Sequence, residues 1–308
     1  MHYGELISVV IPAYDREQTI AAAVEGVLAQ SYAAIEVIVV DDGSRDDTVR
    51  IVEGMTDPRL RLLRHETNRG AGAARNTGVA AARGEWVAFQ DSDDLWMPDK
   101  LDKQVVRLVA AGEGHVAVYC GMLIEDDATP AAAPRYLPGP DIVPREGDIM
   151  PALLRRSFVS TQTLMARRDV LSAIGGFDPE MPALIDWECM LRLAQHGHVA
   201  LVDEALVHQR FSGNSITRSA DKRLRARLRV LDKHHELLAR DPDVLAEHHY
   251  VVAGAYRQAG QRSQAVRHLR EALRHAPYRL RYRLMSSWLA LTGLATGRDV
   301  RGRGSDIL

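Results

Sequence analysis

From Ser8 onward one pattern repeats along the chain: a short apolar run, a polar loop, then apolar residues at helical spacing. Ile7 to Ile11, Ile35 to Val40, Leu60 to Leu63 and Trp86 to Phe89 are almost continuous apolar runs. Such runs predict strands of a sheet covered by helices on both faces. Between the first two, Ile20, Val24, Val27 and Leu28 share one helical face. Asp15 with Gln18 three residues on predicts the N-cap of that helix and its partner. The Ala-rich stretch Ala71 to Ala82 reads as a helix, and Pro98 as the first residue of another that runs to Ala110. Strands alternating with helices predict an α/β fold on a parallel sheet.

Residues 125–148 interrupt this rhythm with five prolines and little apolar periodicity. A loop that long inside a compact domain is usually functional or disordered. Beyond it the pattern predicts a short helix over Ile149 to Arg155 and a strand over Val159 to Met165. The turn Gly175-Gly176-Phe177-Asp178 follows, then a helix over Asp186 to His196 and short strands around Val199 and Leu206. These elements make up a first domain of residues 1–218. Residues 219–308 read as a second, all-helical domain. Leu224, Leu228, Leu231 and Leu238 share a face, and Pro242 and Pro277 punctuate it 35 residues apart. Ala253, Tyr256, Gly260, Ala265, Leu269, Ala272 and Pro277 stand at the offsets of a tetratricopeptide-type hairpin. A single hairpin cannot bury its own face, so neighbouring helices must cap it on both sides.

Of the 308 residues 46% are hydrophobic and 26% charged, which excludes wholesale disorder, a collagen-like repeat and a disulfide miniprotein. Cys120 and Cys189 are too few for a disulfide framework and lack zinc-site spacing. The N-terminus places an acid before its apolar run, unlike a secretory signal. Leu284 to Gly297, the longest uncharged stretch of the C-terminal third, falls short of the ~18 residues that span a bilayer. A cytoplasmic protein without a membrane crossing is expected. The net charge of −2 hides a split: residues 221–308 hold 18 Lys and Arg against 9 Asp and Glu, a net of +9. The remainder is an acidic body whose carboxylates either gather around a cation or face water, and the basic region either faces an acidic partner or is solvated surface.

Two predicted strands end in carboxylates: the second in Asp41-Asp42-Gly43-Ser44, the fourth in Asp91-Ser92-Asp93-Asp94. Ligands of open α/β sheets bind at the carboxyl ends of the strands, so these acids point to one crevice. So many acids in one place are costly without cations or hydrogen-bond donors. Asp91 and Asp93 alternate around one residue, which suits a shared hard ion such as Mg2+ or Mn2+. A capped surface turn is the simpler alternative for such a triplet, and its place directly after an apolar strand weighs against that. Asn68 to Asn76 is a glycine-rich lead into a helix, where Arg69 or Arg75 can meet phosphate, the alternative being a tight turn with close helix packing. No Walker sequence and no dinucleotide fingerprint is present, which argues against an ATPase or a dehydrogenase.

Taken in order, Ser8-Val9-Val10-Ile11-Pro12-Ala13-Tyr14, Val40 to Ser44, Asn68-Arg69-Gly70 through Arg75-Asn76, and Gly84-Glu85-Trp86 into Asp91 to Asp94 resemble the family 2 glycosyltransferases. The likeness continues through Gly175 to Asp178 and Asp186-Trp187-Glu188, and so covers roughly residues 6–217. It implies the GT-A fold, a mostly parallel sheet flanked by helices, here with an all-α C-terminal region. It also implies sugar transfer, with inversion, from a nucleotide-diphosphate donor that is most commonly a uridine nucleotide. The implied donor-nucleotide residues are Pro12, Ala13, Tyr14, Asp15, Asp42, Arg75 and Ser92. Pro12, Tyr14 and Asp42 would hold base and ribose, and Arg75 would face the diphosphate. Asp93, supported by Asp91, would hold Mn2+ or Mg2+, which stabilises the departing diphosphate.

Asp186 matches the family's catalytic base, although an Asp opening a helix also serves as an N-cap. Glu188 is the second candidate, turned away by helix geometry. Two positions depart from the family pattern: Ile185, where an acid is common, and Ser212, where a histidine is common. His208 is the candidate substitute for that histidine, against an ordinary semi-buried role. The implied acceptor is a hydroxyl or thiol on a glycan, a lipid-linked glycan or a peptide, and no nucleic-acid partner is expected. The helical region would hold the acceptor or dimerise. Leu284, Trp288, Leu289 and Leu291, beside the arginines of 279–283, would either pack as helix core, the favoured reading, or touch anionic lipid as a peripheral contact. A degenerate, non-catalytic scaffold is the alternative. A nucleotidyltransferase ranks third, because Pro12-Ala13-Tyr14-Asp15 offers no basic phosphate loop.

Overall fold

The computed structural model describes residues 1–126, 133–211 and 219–296. Two compact units, Met1–Arg218 and Ser219–Leu308, make up the chain. In the first, β1 (Ile7–Ala13), α1 (Ile20–Leu28), β2 (Ile35–Asp41), α2 (Thr48–Glu53), β3 (Leu60–Arg64), α3 (Ala71–Ala81) and β4 (Trp86–Phe89) alternate. Then come β5 (Leu95–Trp96), α4 (Lys100–Ala111), β6 (His115–Asp126), β7 (Arg135–Leu137) and α5 (Met150–Leu153). β8 (Leu164–Arg167), α6 (Arg168–Ala173), α7 (Ile185–Leu193) and β9 (His198–Phe211) complete the unit.

The sheet order is β3-β2-β1-β4-β8-β6-β9-β5, with β7 beside β6. The first four strands are all parallel, as their continuous apolar runs foretold, and every residue of β1 and β2 is buried. Past β4 the sheet is mixed: β8 runs antiparallel to β4 and β6, while β6 and β9 are parallel. Ile7, Val9 and Ile11 share one core cluster with Val24 and Val27 of α1 and Leu101 and Val105 of α4. Because side chains alternate along a strand, Val10 faces the other side. There α3 lies so close that a Cβ on Gly78 would collide with the Val10 side chain.

Several local expectations need correction. Asp15 is not a helix cap. α1 starts at Ile20 after Thr19, and Asp15 sits in a left-handed turn (φ 50°) where its Oδ1 accepts from Arg45 N at 2.8 Å. Pro98 precedes the cap of α4, Asp99, rather than opening the helix. The run Val159 to Met165 forms a strand only from Leu164, after a 3-10 turn at Thr161–Thr163. The apolar patches at Val199 and Leu206 belong to one 14-residue strand, β9, whose register against β6 shifts near Cys120 and Gly121.

The second unit is α8 (Ala220–Lys233), α9 (His235–Leu238), α10 (Pro242–Gln258), α11 (Arg262–His275) and α12 (Leu280–Thr296). α10 and α11 form the foreseen hairpin around Gly260 (φ 72°), burying Ala253, Ala265, Leu269 and Ala272. α8 packs on α10 and α12 on α11, so the hairpin is capped on both sides. Leu231 and Leu238 are buried, whereas Leu224 and Leu228 are half-buried. Leu289 joins the core, but Leu284 and Trp288 are exposed, against the favoured expectation of helix packing for all of them. The Leu291 side chain lies outside the described residues. Among the described residues no helix is long and apolar enough to cross a membrane.

Candidate active site

Because β1, β2 and β4 are parallel neighbours, their carboxyl ends open on the same edge of the sheet. After β2 the chain turns at Gly43 (φ 80°), where a Cβ would stand 3.0 Å from both Asn68 N and the Thr67 carbonyl carbon. That close approach lays the Asp41–Ser44 turn directly on the glycine-rich loop. Asp42, 3% exposed, fastens the two. Its Oδ1 accepts from Arg69 N (3.0 Å) and its Oδ2 from Gly70 N (2.7 Å), and His65 Nδ1 lies 2.6 Å from Oδ1. Tyr14, Ser44, His65 and Asn68 line a cleft of about 510 Å³ above this junction. Asp15 braces two of its lining residues, holding Arg45 N and donating its own N–H to Ser44 Oγ at 3.0 Å. Pro12 and Ala13 are buried at the end of β1, where Ala13 O accepts from Asp42 N at 2.8 Å.

α3 carries Arg75, 6% exposed, toward the end of β4. Its Nη2 donates to Asp91 Oδ1 at 2.5 Å, and its guanidinium stands 5.7 Å from the centre of the Phe177 ring. Its Nε is buried with no hydrogen-bond partner among the described residues. Asn76, one residue on, bolts α3 to the glycine turn: Nδ2 donates to Phe177 O and Oδ1 accepts from Phe177 N, both at 2.7 Å.

Ser92, Asp93 and Asp94 follow Asp91, and Ser92 is buried. Arg16 Nη2 lies 3.6 Å from Asp93 Oδ2. Desolvation by the surrounding protein, followed by the charge of Asp91, holds the Asp93 carboxyl above its ordinary value, although the side chain is 44% exposed. Asp94, 2% exposed, is pushed up to about 9 by burial and by Asp91 and Asp93, against hydrogen bonds from Gln162 and Gln209. Two hard carboxylates that repel one another fit a divalent cation that completes its shell with phosphate oxygens and water. Among the described residues no three His, Cys, Asp or Glu side chains are grouped to hold an ion by themselves.

Asp186 is in the first turn of α7, not at its cap, which is Leu184 with φ 56°. Burial raises its carboxyl to about 6; the Trp187 N–H at 2.7 Å and Arg75 pull it down, and Asp91 pushes it up. Arg75, Asp91 and Asp186 therefore act on one another, and Asp91 and Arg75 act on Asp93. Glu188 is fully buried and accepts from Arg192 Nε at 2.8 Å. Ile185, which stands where an acid is common, packs onto the start of α3, since a Cβ on Gly72 would lie 2.6 Å from its Cδ1. His208 is half-buried on β9 opposite Leu95, next to Gln209, whose Nε2 lies 3.4 Å from Asp94 Oδ2. Ser212 lies outside the described residues.

The glycosyl transferase family 2 model matches residues 8–175, more than half of the chain. The chain belongs to glycosyl transferase family 2. This family 2 chain is 47% identical over 106 residues to the succinoglycan biosynthesis protein ExoO of Rhizobium meliloti, a segment that makes up 34% of this chain and 30% of ExoO. It is 44% identical over 104 residues to WfgD of Escherichia coli, a UDP-Glc:alpha-D-GlcNAc-diphosphoundecaprenol beta-1,3-glucosyltransferase, again 34% of this chain and 41% of the relative. The matched segments thus span less than half of these relatives' lengths. Among solved structures, S. aureus TarS in complex with UDP-GlcNAc superposes with a TM-score of 0.65 at 19% identity, covering 96% of this chain and 93% of that one. Likeness at that identity speaks for the fold, which is GT-A-like.

The sequence pattern gives no role to Arg16, His65, Gln162 or Gln209, and it marks Asn76 only as part of the motif around Arg75. For Arg16 the signal was its place in the loop after the first strand. Gln162 and Gln209 carry no such mark, since they lie 68 and 115 residues from the carboxylate they serve.

Proposed function

We propose that the chain transfers a sugar, with inversion, from a UDP-sugar to a hydroxyl of a lipid-linked or growing polysaccharide glycan. The observation that carries this reading is the ion pair of buried Arg75 with Asp91 (2.5 Å), whose charges also act on Asp186, at the same sheet edge as a cleft of about 510 Å³ after β2. Asp186, with a carboxyl near 6, is ionised at neutral pH yet more basic than an ordinary aspartate. It takes the proton from the acceptor hydroxyl while that oxygen bonds to the anomeric carbon. The bond from that carbon to the diphosphate breaks on the opposite face, and its electron pair leaves with the nucleoside diphosphate.

The orphan Nε of Arg75 offers a buried, charged donor to a phosphate oxygen. Pro12, Ala13, Tyr14, Asp15, Asp42 and Ser92 form or brace the nucleoside side. Asp91 and Asp93 would hold Mn2+ or Mg2+, whose charge lowers the cost of releasing the diphosphate. UDP as the nucleotide is supported by the UDP-Glc donor in the name of WfgD, and a lipid-linked acceptor by the same name. The helical unit is read as the acceptor-holding part.

A thermal-shift panel of nucleotide sugars with and without Mn2+ tests the donor, because a ligand bound only by the native state raises its stability. A UDP-sugar shift that grows with Mn2+, followed by slow donor hydrolysis, is the expected result. Failure to bind any nucleotide sugar would turn the reading toward a non-catalytic scaffold.

A further inference from the structure

α12 is apolar on two faces. Tyr282 and Leu289, 1% and 3% exposed, enter the core of the helical unit, with Met285 packed beside them. On the other side Leu280, Leu284 and Trp288 recur every four residues and remain 67%, 61% and 48% exposed. That spacing puts them on one stripe. Arg283 is exposed, and helical geometry sets it about 60° to one side of Leu280; Arg281, about 100° to the other side, is engaged by Glu247 Oε1 at 3.4 Å and by the Tyr250 and Tyr282 rings. A further cation, the Arg257 guanidinium, stands 5.2 Å from the centre of the Trp288 ring. From Leu284 to Thr296 no residue is charged, while residues 221–308 carry 18 Lys and Arg against 9 Asp and Glu.

We propose that this stripe docks on an anionic lipid bilayer, lying in the plane of its headgroup layer. The aliphatic and indole side chains enter the acyl boundary, and Arg283 and Arg257 meet lipid phosphates. Charge complementarity selects this occupant over a second copy of the chain. A two-fold dimer through the stripe would press its own arginine flanks together, a like-charge contact that an anionic surface replaces with attraction. The inference deepens the reading of the acceptor as lipid-linked and takes its purpose from it: the helical unit would hold the enzyme where such an acceptor resides.

The test uses the full chain with vesicles of phosphatidylglycerol and phosphatidylethanolamine, and with vesicles of phosphatidylcholine alone. Trp86, Trp96 and Trp187 are 4%, 6% and 0% exposed, so a blue shift of emission on binding reports Trp288. Cosedimentation with the anionic vesicles is expected, weakening as salt rises, with a blue shift that Trp288→Phe abolishes. The exposed double variant Leu280→Asp/Leu284→Asp should bind about tenfold or more weakly, with an unchanged melting temperature. Equal binding to phosphatidylcholine, no binding at all, or a dimer that Leu284→Asp dissolves would overturn the proposal. UDP binding by calorimetry on the same preparation keeps the two readings apart. UDP bound without lipid sinks only the docking surface, and lipid bound without UDP sinks only the UDP-sugar reading.

Discussion

Replacing Asp186 by Asn tests the base through two readouts that move in opposite directions. In the folded protein its carboxyl is raised from 3.8 to about 6, chiefly by burial. The native state therefore holds that proton more tightly than the unfolded chain does. For a raised acid the sign is fixed: the contribution is fully present below pH 3.8 and is lost as pH climbs through 6. A shift of about 2 units at 1.36 kcal/mol each makes the ionised side chain an expense of about 3 kcal/mol at pH 7.5, as an upper bound. Asn keeps the shape and a carbonyl for the Trp187 N–H but carries no charge. The variant should then gain about 1–3 kcal/mol at pH 7.5, or about 3–9 °C in Tm for a domain of this size. At pH 4.5 the same arithmetic leaves about 1 kcal/mol at most, so the gap should shrink by roughly two thirds. Sugar transfer should fall ~10²–10⁴-fold, and wild-type kcat/KM should decline as pH drops below about 6. Scanning fluorimetry across pH and a nucleotide-release assay measure both. An Asn variant that is less stable at pH 7.5, or whose Tm gap does not change with pH, would refute the electrostatic account; full activity would refute the base.

Asp93→Ala should abolish the Mn2+-dependent part of donor affinity in calorimetry; unchanged metal stimulation would remove Asp93 from the cation site. Arg75→Ala should weaken UDP about 10–100-fold, the scale of a charge-assisted hydrogen bond, while uridine binding changes little; equal losses for both would place Arg75 away from the diphosphate. Gly78→Ala forces a methyl into Val10 and should cost about 1–3 kcal/mol, seen as a lower Tm. An unchanged Tm would mean that α3 can lift off β1 freely.

Much of the first unit was legible because its early strands are buried on both faces. Seven consecutive buried positions in β1 and again in β2 leave no room for polar alternation, so the strands stand out as apolar runs. Parallel pairing then puts the ends of β2 and β4 on one edge, which is why Asp42 and Asp91 could be read as neighbours of one crevice. Other features could not be read. Asp15 has the chemistry of an N-cap, yet Ser44 and Arg45, thirty residues on, offered it better partners. Leu284 and Trp288 look like core residues by composition, and only the packing of Tyr282 and Leu289 left them outside.

The order of strands and helices, the carboxylates at the strand ends and the glycine-rich lead into α3 were already present in the amino-acid string. They depend on local periodicity and turn chemistry, which act between near neighbours. Folding alone decided that β8 enters antiparallel between β4 and β6, that Gln162 and Gln209 meet Asp94, and that burial lifts Asp186 toward neutrality. These depend on contacts between residues far apart in the chain and on how much water each carboxylate loses, and neither quantity is carried by local pattern.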